Sequence, residues 1–332
     1  MHSHLRDLIR LESHLSMPLW GGHILASDYG RGDDRGVTIG ESWEIYAGNR
    51  VIGGASAGKT LQDLTAEWGE ELLGVDGARH ASGHFPLLIK LIDASQDLSI
   101  QVHPNDEQAK RMEGQPFGKT EAWHILRATP GASLVYGLKH ALTPEALRNR
   151  AADGSIELDL ASISVHTGDS VLVPAGTIHA IGAGIFLYEV QETSETTYRL
   201  YDWNRRGPDG KTRELHLEKA AAVAKLEPSP PALTPWHPSA SGISTTEVVR
   251  CDYFRLERAD LTQPLRRSPG GRSFEALTVI SGAIGVHGPD ATQANEEVTA
   301  GQSVLVPASC TEYHIEPTDG ISSVLIASVP GS

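Results

Sequence analysis

The chain contains nearly the same stretch twice. Gly168-Asp-Ser-Val-Leu-Val-Pro-Ala175 returns 133 residues later as Gly301-Gln-Ser-Val-Leu-Val-Pro-Ala308, with seven of the eight positions identical. The echo extends upstream. Glu121-Ala-Trp leads through Ile125 to a Gly131-Ala132 turn, and Glu275-Ala-Leu leads through Ile280 to a Gly282-Ala283 turn. A chain that repeats itself in this way is expected to build one kind of unit twice. Between these landmarks the first copy is 21 residues longer. The surplus fits one helical insertion near 141–153, with Thr143 as N-cap and Pro144 at the first helical position.

Each copy reads as short strands broken by glycine turns, and 34 glycines and 19 prolines supply the punctuation. The pattern Gly-Asp-Ser-Val-Leu-Val-Pro-Ala-Gly-Thr-Ile-His resembles the second half of a cupin barrel. The expected fold is therefore mainly β: two cupin-like jelly-roll barrels with a few helices, one of them the insertion in the first barrel. Residues 1–235 are expected to form a catalytic domain that ends with a helix near 216–226. Residues 236–332 are expected to form a second, degenerate barrel. Between them, Glu227 to Pro238 carries five prolines and favours an extended linker, whose Trp236 suits packing on a domain. Apolar spacing at Leu61, Leu64, Trp68 and Leu72 predicts a helix over Leu61–Leu73.

A net charge of -14 argues against a general nucleic-acid or membrane-surface binder. If the substrate is a phosphate ester, the site needs its own Lys/Arg cluster. Two cysteines, Cys251 and Cys310, read as free thiols in a reducing compartment. The polar start shows no leader-like apolar run, and the expected location is cytoplasmic. A monomer is the default expectation. His2 and His4 suit a frayed terminus better than a metal site.

Read as a strand, Leu98-Ser-Ile-Gln-Val-His103 alternates between faces. Leu98, Ile100 and Val102 point into a core, while Ser99, Gln101 and His103 share the other face. Three polar groups on one buried face cost free energy unless they have a common task. Lys119 and Glu121 share a face in Lys119-Thr-Glu-Ala-Trp123, and His179 follows the repeated strand and turn. Gln101, His103, Glu121 and His179 together offer two imidazoles, a carboxylate and an amide oxygen. That mixed set suits Zn²⁺ or another first-row divalent ion. Further on, Glu189 and Gln191 share a face opposite Tyr188 and Val190. A turn near Ser194 is expected to fold a hairpin that brings Arg199 toward Glu189.

The residues then resemble a known family. Trp20-Gly-Gly, Gly40-Glu-Ser-Trp-Glu-Ile45, Pro86-Leu-Leu-Ile-Lys90, Leu98-Ser-Ile-Gln-Val-His-Pro-Asn-Asp106 and Gly118-Lys-Thr-Glu-Ala-Trp123 are similar to successive motifs of type I mannose-6-phosphate isomerases in their short bacterial form. Val135-Tyr-Gly-Leu-Lys139, Pro174-Ala-Gly-Thr-Ile-His-Ala180 and Thr197-Tyr-Arg-Leu-Tyr-Asp202 continue the series in the family's order. The resemblance implies one zinc per chain at Gln101, His103, Glu121 and His179. It implies that Ser99, Lys119 and Arg199 face a sugar phosphate, with Lys90 a weaker candidate, and that Glu189 moves the proton. The implied reaction interconverts mannose-6-phosphate and fructose-6-phosphate through a cis-enediol. Two positions depart from the family: Glu195 stands where Asp is expected, and Tyr46 where Ser is frequent.

Other readings fare less well. A cupin dioxygenase would want three His with Glu, and Gln101 replaces one of them. A sugar-binding cupin without turnover has no need of Lys119, Glu189 and Arg199, whereas an isomerase of another sugar remains compatible. Gly53-Gly-Ala-Ser-Ala-Gly-Lys-Thr60 matches a phosphate-binding loop by letters, but only Arg50-Val-Ile precedes it where a buried strand is required. In the second barrel Glu312 stands where the first has His179, so no metal site is expected there.

Overall fold

The computed structural model describes residues 7–32, 36–237, 243–288, 296–318 and 320–331. His2, His4 and the end of the linker at Pro238 lie outside them. The described residues are mainly β, with strands gathered into four sheets. None of their helices is long and apolar enough to cross a membrane. The chain forms two compact units. One comprises Met1–His14, Ser42–Leu91 and His237–Ser332, the other Leu15–Glu41 and Ile92–Trp236.

The second of these units holds every candidate site residue except Lys90. Five strands form one of its layers, in the order Tyr198–Tyr201, Ile100–Val102, His179–Ile181, Ser133–Leu138 and Leu160–Ser164. The facing layer runs Ile185–Glu192, Glu121–Ala128, Ser170–Val173 and Ala232–Thr234. Trp123, Ile125, Val171, Val173 and Leu187 from one layer pack against Leu134, Tyr136 and Ile181 from the other. A second apolar cluster lies on the far side of the five-stranded layer. There Ile100, Val102, Leu138 and Leu200 meet Leu147 and Ala151 of the helix Pro144–Asp153, and Ala220 and Val223 of the helix Leu217–Val223. Burying that outer face frees the inner one for polar side chains. Ile100 and Val102 therefore bury against helices, while Leu98 joins the cluster between the sheets.

The insertion helix starts as expected, with the Thr143 hydroxyl accepting from the Ala146 amide and Pro144 at the first turn. Between Leu61 and Leu73 the single expected helix is in fact two, Leu61–Trp68 and Glu70–Ala81. Gly69 separates them at φ +49°, a conformation that the apolar spacing does not reveal. The glycine-rich stretch from Gly53 forms turns, Arg50 bridges Thr60, and the Thr60 hydroxyl caps the following helix. The linker is no free connector. Ala232–Thr234 adds an edge strand beside Ser170–Val173, and the Trp236 side chain lies against Gly168.

The hairpin expected around Ser194 does not form. Ile185–Glu192 pairs with Glu121–Ala128, whereas Tyr198–Tyr201 pairs with Ile100–Val102 in the other layer. Glu189 thus lies opposite Trp123 and Arg199 opposite Gln101. Residues 193–197 carry the chain from one layer to the next.

The other unit carries the second copy of the repeat, in sheets of five and four strands around a core that includes Leu277, Val304, Val306 and Ile315. The two copies share register. Glu121 pairs with Val173 and His124 with Ser170; Glu275 pairs with Val306 and Thr278 with Ser303. Beside Glu275 stands Arg267, whose Nη2 is 2.5 Å from Glu275 Oε1 and 2.8 Å from Glu257 Oε2, and Tyr313 donates its hydroxyl to Glu275.

Candidate metal centre and active site

Glu121 opens its strand on the face that looks between the layers and is fully buried, with His179 equally so and His103 1% exposed. The carboxylate is the hub. His179 Nε2 is 3.1 Å from Oε1, His103 Nε2 is 3.6 Å from Oε2, and the Lys119 ammonium is 2.8 Å from Oε2. Neither oxygen completes a hydrogen bond of good geometry, Lys119 included. A buried carboxylate left so is costly unless a cation completes it.

The imidazoles are set for that task. His103 Nδ1 is 3.0 Å from the Thr196 carbonyl oxygen and His179 Nδ1 is 2.8 Å from that of Thr177. A carbonyl only accepts, so each Nδ1 carries a proton and Nε2 is the atom left to face the carboxylate. Burial, reinforced by the Lys119 ammonium, holds the His103 pKa well below its usual value, so the ring stays neutral. Burial pushes Glu121 upward, but the Lys119 ammonium beside it more than offsets this, and it stays ionised. The one-ligand atoms of His103, Glu121 and His179 all lie within 4.8 Å of one another, and this group could hold a metal ion. Gln101 lies opposite His179 across the sheet, with its amide nitrogen 3.3 Å from His179 Nε2. Rotating that amide presents its oxygen instead, the atom a divalent cation takes. The donor set therefore fits a zinc-type ion.

Of the other candidates, Lys119 joins the cluster directly. Glu189 is buried and accepts from the Trp123 indole at 2.8 Å, and the Trp123 ring lies 5.5 Å from that of His179. Arg199 is held by its own backbone to His216, and its Nη1 donates to the Glu214 carbonyl at 3.0 Å. Its Nε is buried without a hydrogen-bond partner, a donor suited to an anion. Ser99 is buried beside the Ile100–Val102 strand. Lys90 belongs to the other unit, where its ammonium sits 4.9 Å from the centre of the Trp43 ring, and Tyr46 packs edge-on to the same ring. Glu195 is exposed. Sequence reasoning passed over Trp123, the partner of Glu189. It also passed over Gln191 as a site residue, although Gln191 lies directly opposite Glu121 and keeps a buried, unpartnered amide oxygen. The strand alternation that selects Glu121 and Glu189 selects these two as well.

A family model described as the catalytic domain of type I phosphomannose isomerase matches residues 8–121. The chain is 40% identical over 254 residues to mannose-6-phosphate isomerase ManA of Bacillus subtilis, covering 74% of this chain and 76% of that one. A mannose-6-phosphate isomerase of Streptococcus mutans is also 40% identical, over 250 residues and the same shares. The crystal structure of the mannose 6-phosphate isomerase from Bacillus subtilis superposes with a TM-score of 0.85 at 30% identity, covering 97% of this chain and 99% of that one. A buried His/Glu/His centre between two β layers defines a candidate metalloenzyme. With these likenesses, the chain belongs to the type I mannose-6-phosphate isomerase family.

Proposed function

We propose that the chain is a zinc-dependent aldose–ketose isomerase that interconverts mannose-6-phosphate and fructose-6-phosphate through a cis-enediol. The observation that carries this reading is the buried Glu121 carboxylate, its two oxygens unpartnered by hydrogen bonds and faced by two imidazole Nε2 atoms and the Lys119 ammonium. Gln101, His103, Glu121 and His179 would hold one ion per chain. The bound ion supplies Lewis acidity toward the sugar oxygens at C1 and C2.

The protein's own groups do the rest. Glu189 carries the proton between C1 and C2, fixed in place by the Trp123 indole. Lys119 donates hydrogen bonds to the oxyanion that develops as the proton leaves. Arg199, with its spare buried Nε, binds the phosphate, assisted by Ser99. These cations supply the local positive charge that a chain of net charge -14 needs. The free thiols Cys251 and Cys310 fit a reducing, cytoplasmic setting, and the enzyme is read as a monomer acting on a small sugar phosphate.

The test is a coupled assay of mannose-6-phosphate to fructose-6-phosphate conversion before chelation, after it, and with zinc restored. Activity lost to chelator and regained with zinc is the expected result. A folded, zinc-replete protein with no turnover sinks the substrate assignment. Glu189→Gln is expected to lower kcat by about 10²–10⁴-fold with zinc still bound; near-unaltered turnover would remove Glu189 as the base.

A further inference from the structure

Residues 118–120 lie just before the Glu121 strand and belong to no regular element. Even so, each of their three amides donates to an acceptor from a different part of the chain. Gly118 N–H reaches Asp106 Oδ1 at 2.7 Å, Lys119 N–H the Pro104 carbonyl at 2.9 Å, and Thr120 N–H Glu192 Oε2 at 2.7 Å. Glu192 holds Thr120 twice, because its own amide also donates to the Thr120 carbonyl at 3.2 Å. Gly118 approaches so closely that an added Cβ would lie 2.5–2.6 Å from the Asn105 and Pro104 backbone. An ordinary surface turn has no need of two carboxylate acceptors and one main-chain vice.

We propose that Asp106 and Glu192 are positioning residues that grip the Gly118–Lys119–Thr120 main chain and so set the placement of the Lys119 ammonium between Glu121 and His103. This rests on the reading of Lys119 as a functional group. The ammonium lies 2.8 Å from Glu121 Oε2 and 3.4 Å from His103 Nε2. A lysine side chain has four rotatable bonds, so a fixed ammonium demands a fixed backbone at its root. Glu192 is suited to a grip without charge. Burial first, then the Asp106 carboxylate, push its pKa up to about 9, so at neutral pH it is a neutral carboxyl that still accepts from Thr120.

The experiment compares Glu192→Ala, Glu192→Gln and Asp106→Ala, each alone and with Lys119→Ala, by steady-state kinetics, metal content and thermal unfolding. Glu192→Ala is expected to lower kcat on the order of tenfold with KM changed less than about threefold and metal content retained. Glu192→Gln keeps an oxygen acceptor and should restore most of that loss. In the Lys119→Ala background, Glu192→Ala and Asp106→Ala should cost little more, because the group they position is gone. Losses that simply multiply in the double variants would overturn the proposal, as would a Glu192→Gln as impaired as Glu192→Ala. Asp106→Ala, altered at a partly exposed site, carries the same comparison if Glu192→Ala does not fold. If Lys119→Ala alone leaves kcat unchanged, the reading of Lys119 fails first and independently of the grip.

Discussion

At the scale of single residues, the centre depends on hydrogen bonds made away from it. Each histidine donates its Nδ1–H in a hydrogen bond to a backbone carbonyl, and that leaves Nε2 for an ion. His179→Ala is expected to lower bound metal to well under one equivalent, with activity falling in parallel; atomic emission on dialysed protein checks it. Glu192 makes a separate prediction about pH. Its folded pKa of about 9 stands above the ordinary 4.5. A group raised in this way contributes its stability in full below the unfolded value, and loses it progressively as pH climbs toward the folded one. Thermal unfolding should therefore show stability falling between roughly pH 5 and 9, and Glu192→Gln should flatten that slope. A slope identical in the variant would remove Glu192 as its source. The shared faces of Gln101 with His103, and of Lys119 with Glu121, were legible in sequence from strand alternation alone. The placement of Arg199 beside Gln101 was not. Strand order decides it, and nothing between Glu189 and Arg199 announces that the chain changes layers.

At the scale of elements, helices and turns hold the layers without touching the chemistry. Thr143 caps the insertion helix from an exposed position, and Thr143→Ala should cost about 1 kcal/mol of stability with kcat unchanged. Gly168 is a harder case. Its φ is +95°, and an added Cβ would meet the Trp236 side chain at 2.8 Å. Gly168→Ala is expected to cost roughly 1–3 kcal/mol from backbone strain alone, read as a lowered unfolding midpoint. The repeat marked this glycine as a turn, but the tryptophan that closes over it arrives from a proline-rich stretch that composition describes only as extended. In the same way Gly69 looked like one residue inside a helix, because its positive φ is a property of the fold around it.

At the scale of the whole molecule, the duplication visible in sequence is a duplication of register: Glu275 repeats the strand position of Glu121. What differs is the cation. Arg267→Ala would leave the buried Glu275 carboxylate without its cation and is expected to destabilise by about 3–5 kcal/mol, measured by denaturant unfolding, while metal content stays unchanged. In one copy a flexible lysine, Lys119, faces the carboxylate, and any further compensating charge must be acquired from solution. In the other it is translated along with the chain, attached by a side chain that no chelator can remove. An ion held at Glu121 would therefore be open to exchange with solution, while the guanidinium beside Glu275 would not.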